Sequence, residues 1–172
     1  MKKRIMRQKG VTQVEFVLIA LAVLLVIFSI IEFALYFYSI QMANEVTRRA
    51  ARLATVCYIA DRDDIPTLPS IAGLYPPGFS ADDLTISYLD KDGKDVDVSD
   101  FMQLPPLSAE VLNPTFAKIR FVKAEADYTF KFLVLSLLID AVGATPDFQT
   151  ILPAESLGVL RPESGLDVHE GC

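Results

Sequence analysis

Residues 16–40 read FVLIALAVLLVIFSIIEFALYFYSI, twenty-five positions carrying one charge, Glu32. As a helix rising ~1.5 Å per residue they extend about 37 Å, more than the ~30 Å hydrocarbon core of a bilayer. The stretch is therefore read as a membrane-spanning helix. Tyr36, Phe37 and Tyr38 near its far end suit the headgroup boundary, where an aromatic ring can be half wet. Lys2, Lys3, Arg4, Arg7 and Lys9 precede it with no acidic residue among them. This bias predicts an N-terminus in the cytoplasm and a C-terminal portion across the membrane. The apolar run exceeds the roughly 7–15 residues of a cleaved secretory signal, and no persuasive small-x-small site follows it.

The 172 residues leave room for one soluble domain beside that helix. Five of the 16 basic side chains lie before Gly10, so 11 face all 22 acidic ones beyond it, a balance of −11. An acidic body is a poor match for a phosphate backbone, which argues against nucleic acid as a partner. Both cysteines, Cys57 and Cys172, fall on the expected exported side, where an oxidising periplasm would allow a disulfide between them. Cys57 could equally be a buried thiol and Cys172 a free terminal one.

A second acidic residue, Glu15, stands at the entrance to the apolar run. With Thr12 it forms the S/T-x-x-E pattern of a capping box, and the positive end of the helix dipole would favour its carboxylate. That local account leaves unexplained why a basic leader and Gly10 stand just before it. The block of basic leader, Gly10, four residues, Glu15-Phe16 and a long apolar helix resembles a type IV prepilin processing site. The resemblance extends through Ile30-Ile31-Glu32-Phe33 and Arg48-Arg49-Ala50-Ala51-Arg52, and the whole is similar to the TadE-like proteins, minor pseudopilins of the tight-adherence pilus system.

The resemblance implies cleavage by a prepilin peptidase between Gly10 and Val11, with the apolar helix kept as anchor. Glu15 becomes the fifth mature residue, able to pair with the new α-amine of a neighbouring subunit. Glu15 and Phe16 then act in processing and assembly, Glu32 is the second acidic residue in the membrane, and Arg48 and Arg52 mark the helix exit. The implied partners are the peptidase, other pilins or pseudopilins, the assembly platform and the lipid bilayer. The implied place is a bacterial inner membrane, single-pass, with the C-terminal domain in the periplasm. The implied work is assembly or initiation of a pilus for surface attachment and biofilm formation.

Glu32 lies 17 residues beyond Glu15, about 25 Å along a helix at ~1.5 Å per residue, so one or both must approach an interface. Two readings remain open for Glu32: snorkelling toward headgroups, or a helix–helix contact within an assembly.

The helix is expected to run over residues 11–60, since residues 41–60 contain no Gly or Pro. Met42, Val46, Ala50, Leu53, Cys57 and Ala60 recur at four- and three-residue steps and predict an apolar stripe. Residues 61–83, with four prolines, read as a connecting loop, and 84–172 as a small β-rich domain ending in a disordered tail. Strands are predicted at Leu84 to Leu89, around Asp95 to Val98 after a DKDG turn, at Val122 to Phe132 with strict apolar–polar alternation, and weakly at Ser156 to Arg161. Phe132 to Ile139 (FLVLSLLI) is too short to span lipid and reads as a buried segment or interaction surface. The expected fold is α+β: a pilin-like long N-terminal helix, half transmembrane and half amphipathic, packed on a small antiparallel sheet.

No catalytic constellation is legible. His169 is the single histidine, in the expected tail, and neither a nucleophile elbow, a P-loop, an H-E-x-x-H motif nor a dinucleotide fingerprint occurs. The acidic run after Asp90 departs from a calcium loop because Gly93 comes too early. No cofactor and no metal is expected, and the chain reads as a structural protein, itself a peptidase substrate. The alternatives are an uncleaved signal-anchored protein whose periplasmic domain binds a ligand or partner and, least favoured, a tethered enzyme.

Overall fold

The structure, a computed structural model, describes residues 11–103, 109–137, 146–159 and 172. The basic leader, Gly10, and most of the tail with His169 lie outside the described residues. A helix, α1, runs over Val11–Val56, and the chain divides into two compact units. One comprises residues up to Phe37 together with the segment beginning at Lys131; the other runs from Tyr38 to Phe130 and resumes after Gly143.

In the first unit α1 exposes apolar side chains all round: Phe16, Val17, Leu18, Ile19, Val23, Val26, Ile30 and Phe37 are each at least half exposed. Its most apolar window has a mean hydropathy of 3.0 and none of that window is buried. A helix stretch that is apolar on every side and exposed throughout is suited to lipid, consistent with a single-pass membrane protein.

In the second unit α1 turns one face inward. Ala43, Val46, Thr47, Ala50, Ala51 and Ala54 are fully or almost fully buried, at steps of three and four residues. The buried face is rotated about one position from the predicted stripe: Val46, Ala50 and Cys57 belong to both, whereas Met42, Leu53 and Ala60 are half-buried. Of the six buried residues from Ala43 to Ala54, four are alanines, whose small side chains fit a face covered by the rest of the unit.

That sheet has order β1-β2-β3, all antiparallel, from Leu84–Leu89, Phe121–Ala126 and Phe148–Pro153. Leu84 pairs with Ala126, and Phe121 with Pro153. Its inner face presents Ile86, Tyr88, Val122, Ala124 and Phe148, all buried. The Thr150 hydroxyl donates to that of Thr47 at 3.2 Å, tying β3 to α1. This is the α+β arrangement of a long N-terminal helix on a small antiparallel sheet. Two short helices, α2 (Pro69–Ala72) and α3 (Ala109–Phe116), and several 3-10 turns fill the connections.

Three expectations for the strands change. The segment Asp95 to Val98 contributes a single bridge, Asp95 opposite Leu89, because the chain turns into 3-10 geometry at Ser99–Met102. The pairing of β2 stops at Ala126, although burial keeps alternating through Tyr128 to Phe130. Its partner β1 begins only at Leu84, because Ala81–Asp83 forms a 3-10 turn closed by a Ser80–Asp83 capping box. The third strand is Phe148–Pro153, and Leu157-Gly158, inside the stretch expected to be a strand, is a turn with φ of 46° and 78°.

This turn also explains why α1 stops at Val56, four residues before the expected end. The Leu157 N–H donates to the Thr55 carbonyl at 3.0 Å, taking one of the acceptors a helix leaves free at its end. A disulfide joins Cys57 to Cys172, with Cα atoms 5.3 Å apart. Gly158 lies against the Tyr58 backbone so closely that a Cβ there would stand 2.4 Å from the Tyr58 nitrogen. Gly158→Ala is thus expected to cost about 2 kcal/mol or more, combining that clash with a strained positive φ. Denaturant unfolding of the purified chain in detergent measures it.

Candidate functional site

Glu32 is the buried charge of the first unit. Its residue is 7 % exposed, although its apolar neighbours on α1 are open. One carboxylate oxygen accepts from the backbone N–H groups of Leu133 and Val134, each at 2.5 Å, and the other from that of Leu135 at 2.9 Å. Three successive amides converge on it because the chain bends at Leu133 and Val134 and then enters a 3-10 turn, Leu135–Leu137. The bend turns consecutive N–H groups to one side, forming a concave anion receptor. The Ser136 hydroxyl closes the turn by donating to the Leu133 carbonyl at 2.9 Å.

Aromatic packing holds the segment beside the helix. The Phe132 ring lies 5.8 Å from that of Phe33, edge to face, and 5.5 Å from that of Tyr36. Such pairs contribute about 0.5–1.5 kcal/mol each beyond area burial. The sequence leaves Glu32 between snorkelling and a helix–helix contact; the structure adds a third arrangement, in which its own chain supplies the donors. Leu133, Val134 and Leu135 were missed as site residues because backbone donors leave no side-chain signature.

The other site residues are dispersed. Val11 is the first described residue of α1, so Thr12 lies within the helix and not at an N-cap where a capping box would need it. Glu15 is exposed and makes no ion pair among the described residues, and Phe16 is 71 % exposed.

Arg48 and Arg52 are exposed in the second unit, where with Arg49 and Thr150 they line a groove of about 370 Å³ between α1 and β3. Arg49 is occupied by Glu45, four residues back, at 2.7 Å. Arg48 and Arg52 have no such partner among the described residues, which leaves two guanidinium forks able to take carboxylates. Asp90 is committed to its own turn: the N–H of Lys94, then that of Asp92, holds its carboxyl below the usual range. Among the described residues no group of three His, Cys, Asp or Glu side chains could hold a metal.

Removing the carboxylate would strand three amides at once. Glu32→Ala is expected to lower the opening free energy of residues 133–135 by about 3 kcal/mol, a roughly hundredfold faster amide exchange, since bonds to a charged acceptor are worth about 1.5–3 kcal/mol each and do not add fully. Glu32→Gln keeps one acceptor oxygen and should recover part of the protection. Hydrogen exchange resolved to the peptide carrying these residues reads both variants.

With this geometry in place, comparison with known proteins adds one match. Residues 10–52 fit the family described as TadE-like protein, an interval that opens on Gly10 and closes on Arg52. Curated proteins and solved structures give no match. The matched interval contains Glu15, Phe16, Glu32, Arg48 and Arg52, and it makes the chain consistent with a TadE-like protein of the Tad pilus system.

Proposed function

We propose that the protein is a minor pseudopilin that serves in assembly or initiation of a tight-adherence pilus, and so in surface attachment and biofilm formation. The observation that carries this reading is the TadE-like match beginning at Gly10, the glycine after which a prepilin peptidase would cut. The five cations before it hold the N-terminus in the cytoplasm, where such cleavage occurs. In this reading the span anchors the protein in a bacterial inner membrane, and its sheet domain lies in the periplasm.

Cleavage removes the five positive charges and leaves a new amine on Val11. An ionised carboxylate in a lipid environment is costly, on the order of 2.5–3.5 kcal/mol at a helix centre and less near an interface. Glu15 is open on α1, so the amine of an adjacent subunit can offset that cost, but only at one stagger of the two helices. The carboxylate thus favours one register during lateral packing. Its partners are the peptidase, other pilins or pseudopilins and the assembly platform. The chain performs no catalysis in this scheme and is instead a peptidase substrate.

Co-expression with the cognate prepilin peptidase should yield a mature chain starting at Val11, read by mass spectrometry of the N-terminal peptide. Replacing Gly10 with a bulky residue should abolish trimming. Glu15→Gln should leave trimming and membrane insertion intact and reduce recovery in pilus fractions severalfold. A chain that keeps its leader in the presence of active peptidase would point to a signal-anchored protein with a partner-binding domain.

A further inference from the structure

We propose that residues 132–137 form a second membrane contact, dipping into the hydrocarbon of the leaflet at the C-terminal end of the span, with Glu32 as their anchor. The inference rests on α1 crossing a bilayer and goes beyond it by assigning lipid as the partner of a segment far away in sequence. The first argument is depth. A hydrocarbon core takes up about 20 helical residues, and wherever that length is placed within residues 16–40 it includes Glu32. The amides of Leu133, Val134 and Leu135 bond to the Glu32 carboxylate directly, so this backbone stands at the same level. Phe132 packs on Tyr36 and Phe33, so the chain passes inward of the aromatic boundary as it approaches Glu32.

The second argument is polarity. Irregular backbone at membrane depth is tolerated only where the protein accommodates its polar groups. Here the three N–H groups that face α1 are taken by Glu32, and the one polar side chain in FLVLSL, Ser136, bonds back to Leu133. The carboxylate gains three donors in return, which is what permits a charge at that level. The third argument is what remains uncovered. Leu133 is 79 % exposed, the most open of the large apolar side chains among the described residues. Like the exposed apolar side chains of α1, whose solvent is lipid, it is apolar and open. A partner protein would need to replace lipid over both at once.

The test uses the full chain, unmodified, in phosphatidylcholine–phosphatidylglycerol nanodiscs containing a lipid with a photoactivatable carbene precursor in its acyl chain. Peptide mapping should find adducts in the apolar part of α1 and also in residues 132–137, with none in β1. Adducts in α1 but not in 132–137 would overturn the second contact while leaving the span intact; adducts in neither would overturn the span as well.

A second measurement exploits the absence of tryptophan from the chain. Leu133→Trp should emit at blue-shifted wavelength and lose most of its intensity when lipids brominated near the carbonyl end of the acyl chain are used. Adding Glu32→Ala should abolish that quenching, whereas a tryptophan at Ile27 should remain quenched. Emission from Trp at 133 that is insensitive to brominated lipid would overturn the proposal.

Discussion

A carboxylate inside an apolar helix and a run of backbone amides outside regular structure are each unstable in hydrocarbon, and the first unit of this protein depends on their satisfying one another. Glu32 accepts from Leu133, Val134 and Leu135, residues about a hundred positions later in the chain. Neither partner would be tolerated alone: three unbonded amides or one unpaired charge would each cost several kcal/mol in a medium without water. The acid is therefore a structural element of the fold, and it fixes where FLVLSL must lie along α1.

The same helix meets a different demand further on. Up to Phe37 it is mostly exposed and apolar, with Glu32 the buried exception, whereas between Ala43 and Ala54 the buried face is built of Val46, four alanines and a single polar residue, Thr47. Its end is set from afar, by the Leu157 N–H on Thr55, by Gly158 against Tyr58 and by the Cys57–Cys172 disulfide. A disulfide that closes a loop of this length stabilises by about 2–4 kcal/mol, chiefly by restricting the unfolded chain. Glu15 and Glu32 thus serve opposite purposes in the proposed function. One is left open for a neighbour, and the other is closed by its own chain.

What could be read from residues alone follows the range of the forces involved. The apolar run, β1 at Leu84–Leu89 and the alternation from Val122 to Phe130 are local patterns, and they are visible because burial imposes periods of 3.6 and 2 on consecutive side chains. The end of α1 was placed four residues late because its cap comes from a distant turn. β3 was overlooked although Phe148, Thr150 and Leu152 alternate with Gln149 and Ile151, because Pro153 and the half-exposed Ile151 weaken the signal. The partner of Glu32 was beyond reach for a deeper reason: a receptor of backbone amides is specified by a bend, and FLVLSLLI advertises only its apolarity.

Solid-state NMR dipolar recoupling between the Glu32 carboxyl carbon and the backbone nitrogens of Leu133 and Leu135, in selectively labelled protein reconstituted in bilayers, tests the central claim most directly. The account predicts strong dephasing of the Glu32 carboxyl signal by both nitrogens, and a shift of the Leu133 and Leu135 amide nitrogens in Glu32→Ala. A carboxyl signal undisturbed by either nitrogen would contradict it, and would return Glu32 to the headgroups or to a neighbouring helix.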